Sequence, residues 1–181
     1  MEGVVALLDP EGEAHLRAIW RRLAERHAAH ALAQRVPYPH LSFHVAEGYD
    51  LAALAASLAP VVRGLRPLVV RSTGLGLFTG PAPTLYLAVT RDPALSDAHA
   101  RIWPAIEPAA RGSQSYYAPP AWVPHITLAQ LDIGPATLGP LVADLAGLDL
   151  AFTFTLDALT ALTVDPQRGT HHPALTLPLG R

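Results

Sequence analysis

The sequence contains no cysteine and no lysine. Without thiols there is no thiolate nucleophile, disulfide or cysteine-bound zinc. All 13 basic residues are arginine, which removes Schiff bases, a P-loop ammonium and covalent lysine–nucleotide intermediates. No apolar run approaches the roughly 20 residues of a membrane span. Val4 to Leu8 is too short for a signal-peptide core and lacks a basic flank, so a soluble, cytoplasmic chain is the expectation. Charge is also scarce. At 15% charged residues and a net charge of -2, no broad phosphate-binding surface is expected, though a grip on a single nucleotide or RNA end is compatible. Half of the 181 residues are apolar, which suits one packed domain or two small intimate lobes and argues against disorder. The chemistry falls to His, Ser, Thr, Tyr, Asp, Glu and Arg, or to a bound ion.

Local patterning yields alternating strands and helices. Val4 to Leu8 reads as a buried strand. Asp9-Pro10 then reads as an N-cap and first helical residue, followed by Leu16, Ile19, Trp20, Leu23 and His27 at helical spacing. Four arginines share that helix, but Glu11, Glu13 and Glu25 dilute them, and a solvated face is preferred over an RNA patch. His40 to Ala46 reads as a strand and Leu51 to Val62 as a helix. Leu68 to Arg71 and Thr84 to Val89 read as strands around a Gly/Pro-rich turn. Gly74-Leu75-Gly76 is rejected as a dinucleotide loop, because Thr79 replaces the third glycine and prolines follow. Leu138 to Leu148 is a predicted helix. Phe152 to Val164 and Ala174 to Leu179 are predicted strands, with His171-His172 in the turn region before the last.

The pattern then repeats. Asp9-Pro10 returns as Asp92-Pro93, and Pro39-His40-Leu41-Ser42-Phe43 as Pro124-His125-Ile126-Thr127-Leu128, at offsets of 83 and 85 residues. Two matches at nearly one offset indicate an internal duplication, with lobes near 1–82 and 83–181 in one domain and strand exchange between them allowed. The element order favours an α+β fold with two sheets. Side chains alternate along a strand, so His40 and Ser42 share one face while Leu41 and Phe43 take the other. His125 and Thr127 are arranged alike. If an approximate two-fold axis relates the halves, two imidazoles and two hydroxyls converge on a cleft. One neutral imidazole can take a proton from water or an alcohol, while the other, protonated, gives one to a leaving oxygen. Ser42 and Thr127 can donate to phosphate oxygens.

The paired His-apolar-Ser/Thr-apolar pattern resembles the two-histidine phosphoesterase superfamily, also called the 2′-5′ RNA ligase-like family. The resemblance runs from Val4 to about Thr163. Leu8-Asp9-Pro10, Gly74-Leu75-Gly76-Leu77-Phe78 and Trp122-Val123-Pro124-His125-Ile126-Thr127-Leu128 look like its bacterial branch. It implies a bilobal α+β fold with two antiparallel-rich sheets, flanking helices and a cleft between lobes. It also implies opening of 2′,3′-cyclic phosphate ends of RNA or nucleotides without metal, ATP or other cofactor, with 2′-5′ joining as the reverse reaction. His40 and His125 carry over as the catalytic pair, and Ser42 and Thr127 as phosphate-binding residues. RNA-ligating relatives often place an arginine three residues after the second Thr; here that position is Gln130, a neutral amide with fewer donors.

Further substrate contacts are sought in Tyr38, His44, Phe78 and Gln130. His40 and His44 lie about 13 Å apart on a strand, too far to share a metal, so no metal site is expected. His171-His172 reads as a solvated loop, and His15 and His99 as packing or capping residues. Tyr116, Tyr117 and Trp122 read as core or lobe-interface residues. RNA ends or small cyclic nucleotides are the expected partners of a monomer that meets no membrane. The rival readings are a non-catalytic nucleotide or RNA-end binding module and a metal hydrolase using His40, His44 and His171.

Overall fold

The computed structural model describes residues 1–180. The first half runs β1 (Glu2–Leu7), α1 (Pro10–His27), α2 (Ala31–Arg35), β2 (His40–Ala46), β3 (Gly48–Tyr49), α3 (Leu51–Arg63) and β4 (Leu68–Phe78). The second runs β5 (Thr84–Val89), α4 (Pro93–Ile106), β6 (Ala110–Arg111), β7 (His125–Ala129), α5 (Pro135–Leu145), β8 (Thr153–Leu156), β9 (Ala158–Val164) and β10 (His171–Pro178). Among the described residues no helix is long and apolar enough to cross a membrane.

Capping starts the two long helices. Asp9 Oδ1 accepts from the Gly12 N–H at 2.8 Å, and Pro10 fills a position that needs no N–H. Its other oxygen accepts from the Thr155 N–H at 2.6 Å, fastening α1 to β8. Asp92 caps α4 in the same way, accepting from the Leu95 N–H at 2.8 Å. Leu16, Ile19, Trp20 and Leu23 of α1, and Leu95, Ile102 and Ile106 of α4, are buried. Each such side chain contributes about 1.5–3 kcal/mol by leaving water. The polar face of α1 is used for clamping. Arg22 places two nitrogens on Asp144 of α5 at 2.9 and 2.6 Å, with Arg26 at 3.4 Å and His27 at 3.1 Å.

Two four-stranded antiparallel sheets run β10-β9-β1-β2 and β7-β5-β4-β8, beside a small β3-β6 pair. β1 pairs with β2, and β5 with β7, so each half builds its own helix-linked antiparallel pair. The neighbours of these pairs are exchanged. β4 of the first half joins β5, while β9 and β10 of the second half join β1. The two motif strands, β2 and β7, are the edge strands of their sheets and approach each other.

Several local expectations are corrected. β4 does not stop at Arg71 but continues through the glycines to Phe78. A register shift between Ser72 and Gly74, with Gly74 at φ 132°, bends the strand. It pairs with β8 over Leu68 to Arg71 and with β5 from Ser72 onward. The run from Phe152 to Val164 is two strands that separate at Asp157 and enter different sheets. α5 begins three residues earlier than its apolar periodicity suggests, at Pro135. His171 and His172 open β10 rather than sitting in a turn. The short helix α2 was not anticipated.

Candidate active site

The facing motif strands border a cavity of about 840 Å³. His40, Ser42 and Val45 line it from β2; His125, Thr127 and Gln130 line it from β7 and the residue beyond. The apolar motif residues point the other way: Leu41, Phe43, Ile126 and Leu128 are buried. The spacing 40, 42, 45 matches 125, 127, 130 because both strands carry a bulge at the same place. Against β1, Val4 faces His44 and Val5 faces Ser42, leaving Phe43 as the extra residue. Against β5, Leu85 faces Ala129 and Tyr86 faces Thr127, leaving Leu128 extra. One extra residue shifts the alternation by one. Val45 and Gln130 are thereby turned into the cavity.

The bulge also corrects the reading of His44, which is turned away from the cleft and buried. Its Nε2–H donates to Glu107 at 2.8 Å, and its Nδ1 accepts from the Tyr49 hydroxyl at 2.9 Å. Burial lowers its pKa although Glu107 pulls the other way. Tyr38 is likewise no cavity-lining side chain; its contribution is a carbonyl. The His40 Nδ1–H donates to the Tyr38 carbonyl at 2.6 Å, and the His125 Nδ1–H donates to the Val123 carbonyl at 2.8 Å. In both cases the acceptor lies two residues back, which fixes the ring and leaves Nε2 free to receive or give a proton. Burial drives His40 down to about 4 against the pull of the Tyr38 carbonyl, and the charges of His125 and His171 act in the same direction as burial. Burial also lowers His125, opposed by the Val123 carbonyl. Both rings are therefore neutral near pH 7 in the free protein.

The surroundings differ between the two rings. His125 is enclosed by aromatic groups: Phe78 at 4.9 Å edge-on, Tyr86 at 5.1 Å and Tyr117 at 6.3 Å between ring centroids. Tyr86 can lie there because its cross-strand neighbour is Gly76, where a Cβ would run into the Tyr86 ring. Gln130 lines the cavity and accepts from the Thr84 hydroxyl at 3.4 Å. Tyr117, expected in the core or interface, lines the cavity with its hydroxyl beside Ser42. Burial pushes its phenol up to about 12, so it remains a donor.

The edge strands are tied across the halves. Edges leave a row of unpaired carbonyls. The Trp122 indole N–H donates to the Ser42 carbonyl at 3.0 Å, and the Trp20 indole N–H donates to the Thr127 carbonyl at 3.2 Å. Each hydroxyl residue thus has its backbone held by a tryptophan from the other half. His99 adds a bond to the Phe43 carbonyl at 2.9 Å while stacking on Trp122, with centroids 3.9 Å apart. His171 also lines the cavity. Sequence reasoning missed these ties and set Tyr117 and His171 aside as a core or interface residue and a loop residue, since nothing in local spacing reports their place on the cavity wall. Among the described residues there is no group of three His, Asp or Glu side chains suited to holding a metal ion.

Comparison with known proteins places this arrangement. The family model of the 2′-5′ RNA ligase superfamily matches residues 8–168. No curated protein matches the chain significantly. Solved structures share the fold. Escherichia coli LigT complexed with 3′-AMP is 15% identical, with a TM-score of 0.54 and 99% of each chain covered. TT0787 of Thermus thermophilus is 15% identical, with a TM-score of 0.57 and 100% of both chains covered. A protein solved as a phosphoesterase is 13% identical, with a TM-score of 0.55 and 100% of both covered.

Proposed function

The chain belongs to the 2′-5′ RNA ligase superfamily of two-histidine phosphoesterases, and from that premise we propose that it opens 2′,3′-cyclic phosphodiesters on nucleotides or RNA ends. The observation that carries the reading is the matched pair of imidazoles, each with Nδ1–H on the carbonyl two residues back. One Nε2 removes a proton from water as the water oxygen bonds to phosphorus. One ester P–O bond breaks, and the other ring, as imidazolium, gives its proton to the leaving oxygen. Ser42, Thr127 and the Tyr117 hydroxyl supply hydrogen bonds to the non-bridging oxygens as their charge grows. Both rings are hard to protonate in the free protein, and an anionic phosphate between them favours one proton on the pair. A 5′-hydroxyl in place of water gives the 2′-5′ joining reaction with the same proton transfers. E. coli LigT has been solved with 3′-AMP, ATP and phosphate, which supports nucleotide-sized ligands here. The proposal extends to a duplicated scaffold, a cytoplasmic setting and a monomeric enzyme.

The test is incubation with 2′,3′-cyclic nucleotides and short cyclic-ended RNAs, identifying products by mass and phosphate position. Turnover that persists in saturating chelator is expected. Tight binding without product would convert the reading to a non-catalytic nucleotide or RNA-end binding module, the alternative that the neutral Gln130 favours.

A further inference from the structure

The cavity wall is not uniform around the two imidazoles. Beside His125 it is aromatic, with Phe78 at 4.9 Å. On the wall of His40 it carries instead His171, whose ring bonds the backbone of Arg35. Arg35, at the end of α2, stands next to His171, and both line the cavity. Of the arginines among the described residues, Arg35 is the one on that wall. Arg17, Arg22, Arg26 and Arg168 are matched with carboxylates, whereas Arg35 has none within 4 Å among the described residues.

His171 holds this corner together. Its ring nitrogens face the Met1 carbonyl at 2.9 Å and the Arg35 carbonyl at 3.3 Å. It therefore links β10 to the start of β1 and to the residue that carries the guanidinium. Glu2 is the one acidic residue bordering the cavity. Gly3 and Val5 face the cleft, so alternation directs the Glu2 carboxylate to the other side of β1. There it accepts from the Val164 N–H at 3.4 Å, and its charge acts on Tyr49. Gln130, on the facing strand, brings no charge. The permanent positive charge of the cleft is thus displaced from the two imidazoles toward the α2 side.

We infer that Arg35, positioned by His171, binds a second phosphate, attached on the 5′ side of the nucleotide whose cyclic phosphate lies between His40 and His125. The inference rests on the cyclic-phosphodiesterase reading and narrows its substrate class. Nucleotides with a 5′-phosphate, or RNA ends with a 5′ phosphodiester, are preferred over nucleoside cyclic phosphates. A guanidinium meets phosphate through two parallel hydrogen bonds. A substrate with one phosphate leaves that fork facing water.

The test compares, for one base, a nucleoside 2′,3′-cyclic phosphate, its 5′-phosphorylated form and a dinucleotide ending in the same cyclic phosphate. At low salt the wild-type protein is expected to show kcat/KM about tenfold higher for the two compounds bearing the extra phosphate, the scale of one charge-assisted contact. The advantage is expected to shrink as salt is added. Arg35→Gln is expected to bring the ratio close to one. A preference confined to the phosphomonoester identifies free nucleotides as the source, and one shared by the dinucleotide identifies RNA ends. Equal kcat/KM for all three compounds, or a ratio that survives in Arg35→Gln, would overturn the assignment. Absence of any turnover would instead remove the phosphodiesterase reading. Calorimetric affinities of nucleoside 3′,5′-bisphosphate against 3′-monophosphate then decide the Arg35 site, with the same ratio expected and equal affinities refuting it.

Discussion

The strands β2 and β7 are alike in backbone and unlike in surroundings. Both sit at a sheet edge, carry a bulge after the hydroxyl residue, tie an imidazole to the carbonyl two residues back and accept an indole N–H. Yet His125 is enclosed by Phe78, Tyr86 and Tyr117, while His40 is pushed to about 4 by burial, aided by the charges of His125 and His171. Ser42 has the Tyr117 hydroxyl beside it. The two strands thus carry two copies of one device, and the unshared neighbours put the copies in different surroundings. Acid and base roles need that difference.

The comparison breaks most severely if either imidazole is removed. His40→Ala and His125→Ala are each expected to lower kcat on a 2′,3′-cyclic nucleotide about 10³-fold, within the range for a lost acid or base. The double variant is expected to lose much less than the product of the two, because the rings act as a unit. Full activity in either single variant would sink the shared mechanism.

The pH dependence sharpens the contrast. kcat/KM reports the free protein, in which both rings titrate below 6.5. Its optimum is expected between about 4 and 6.5, with activity falling above that as the general acid loses its proton. The optimum of kcat is expected at higher pH, because bound phosphate favours protonation. Stability has its own sign. His40, His44, His99 and His125 all bind protons less readily folded than unfolded. Stability from their neutral burial is intact above about 6.5 and is lost as pH falls toward 4. His99, wholly buried and held near 4 by burial, contributes roughly 3 kcal/mol of that loss. Thermal unfolding followed from pH 7 to 4 checks the direction.

Smaller effects probe the unshared neighbours. Tyr117→Phe keeps the ring against His125 and deletes the hydroxyl beside Ser42. It is expected to lower kcat about tenfold with little change in KM, as for a hydrogen bond that strengthens with developing charge. An unchanged kcat would reduce Tyr117 to packing. Trp20→Phe and Trp122→Phe each remove one indole bond to an edge carbonyl. Each is expected to cost about 1 kcal/mol in denaturant titration, with Trp122→Phe the more damaging because it also supports His99 and Phe43.

The legible parts of the molecule were those written in local chemistry. Asp9-Pro10 and Asp92-Pro93 cap helices because a short carboxylate reaches the first turn within its own segment. His40, Ser42, His125 and Thr127 share a cavity because two residues return a strand to the same face. Periodicity failed where partner strands intervene. Gly74-Leu75-Gly76 looked like a turn, but pairing with β5 keeps it extended around a bend. His44 looked like a neighbour of His40 on the open face, but the bulge at Phe43 turned it inward.

What the sequence by itself determined is a pair of short amphipathic strands, each with an imidazole and a hydroxyl on one side and two apolar anchors on the other. That follows from backbone stereochemistry over four residues and needs no distant partner. Only the tertiary structure decided that β4 and β9 change sheets, that two bulges bring Val45 and Gln130 into the cleft, and that Tyr117, Arg35 and His171 complete its wall. Those outcomes depend on hydrogen bonds and packing between segments far apart in the chain, for which side-chain alternation carries no signal.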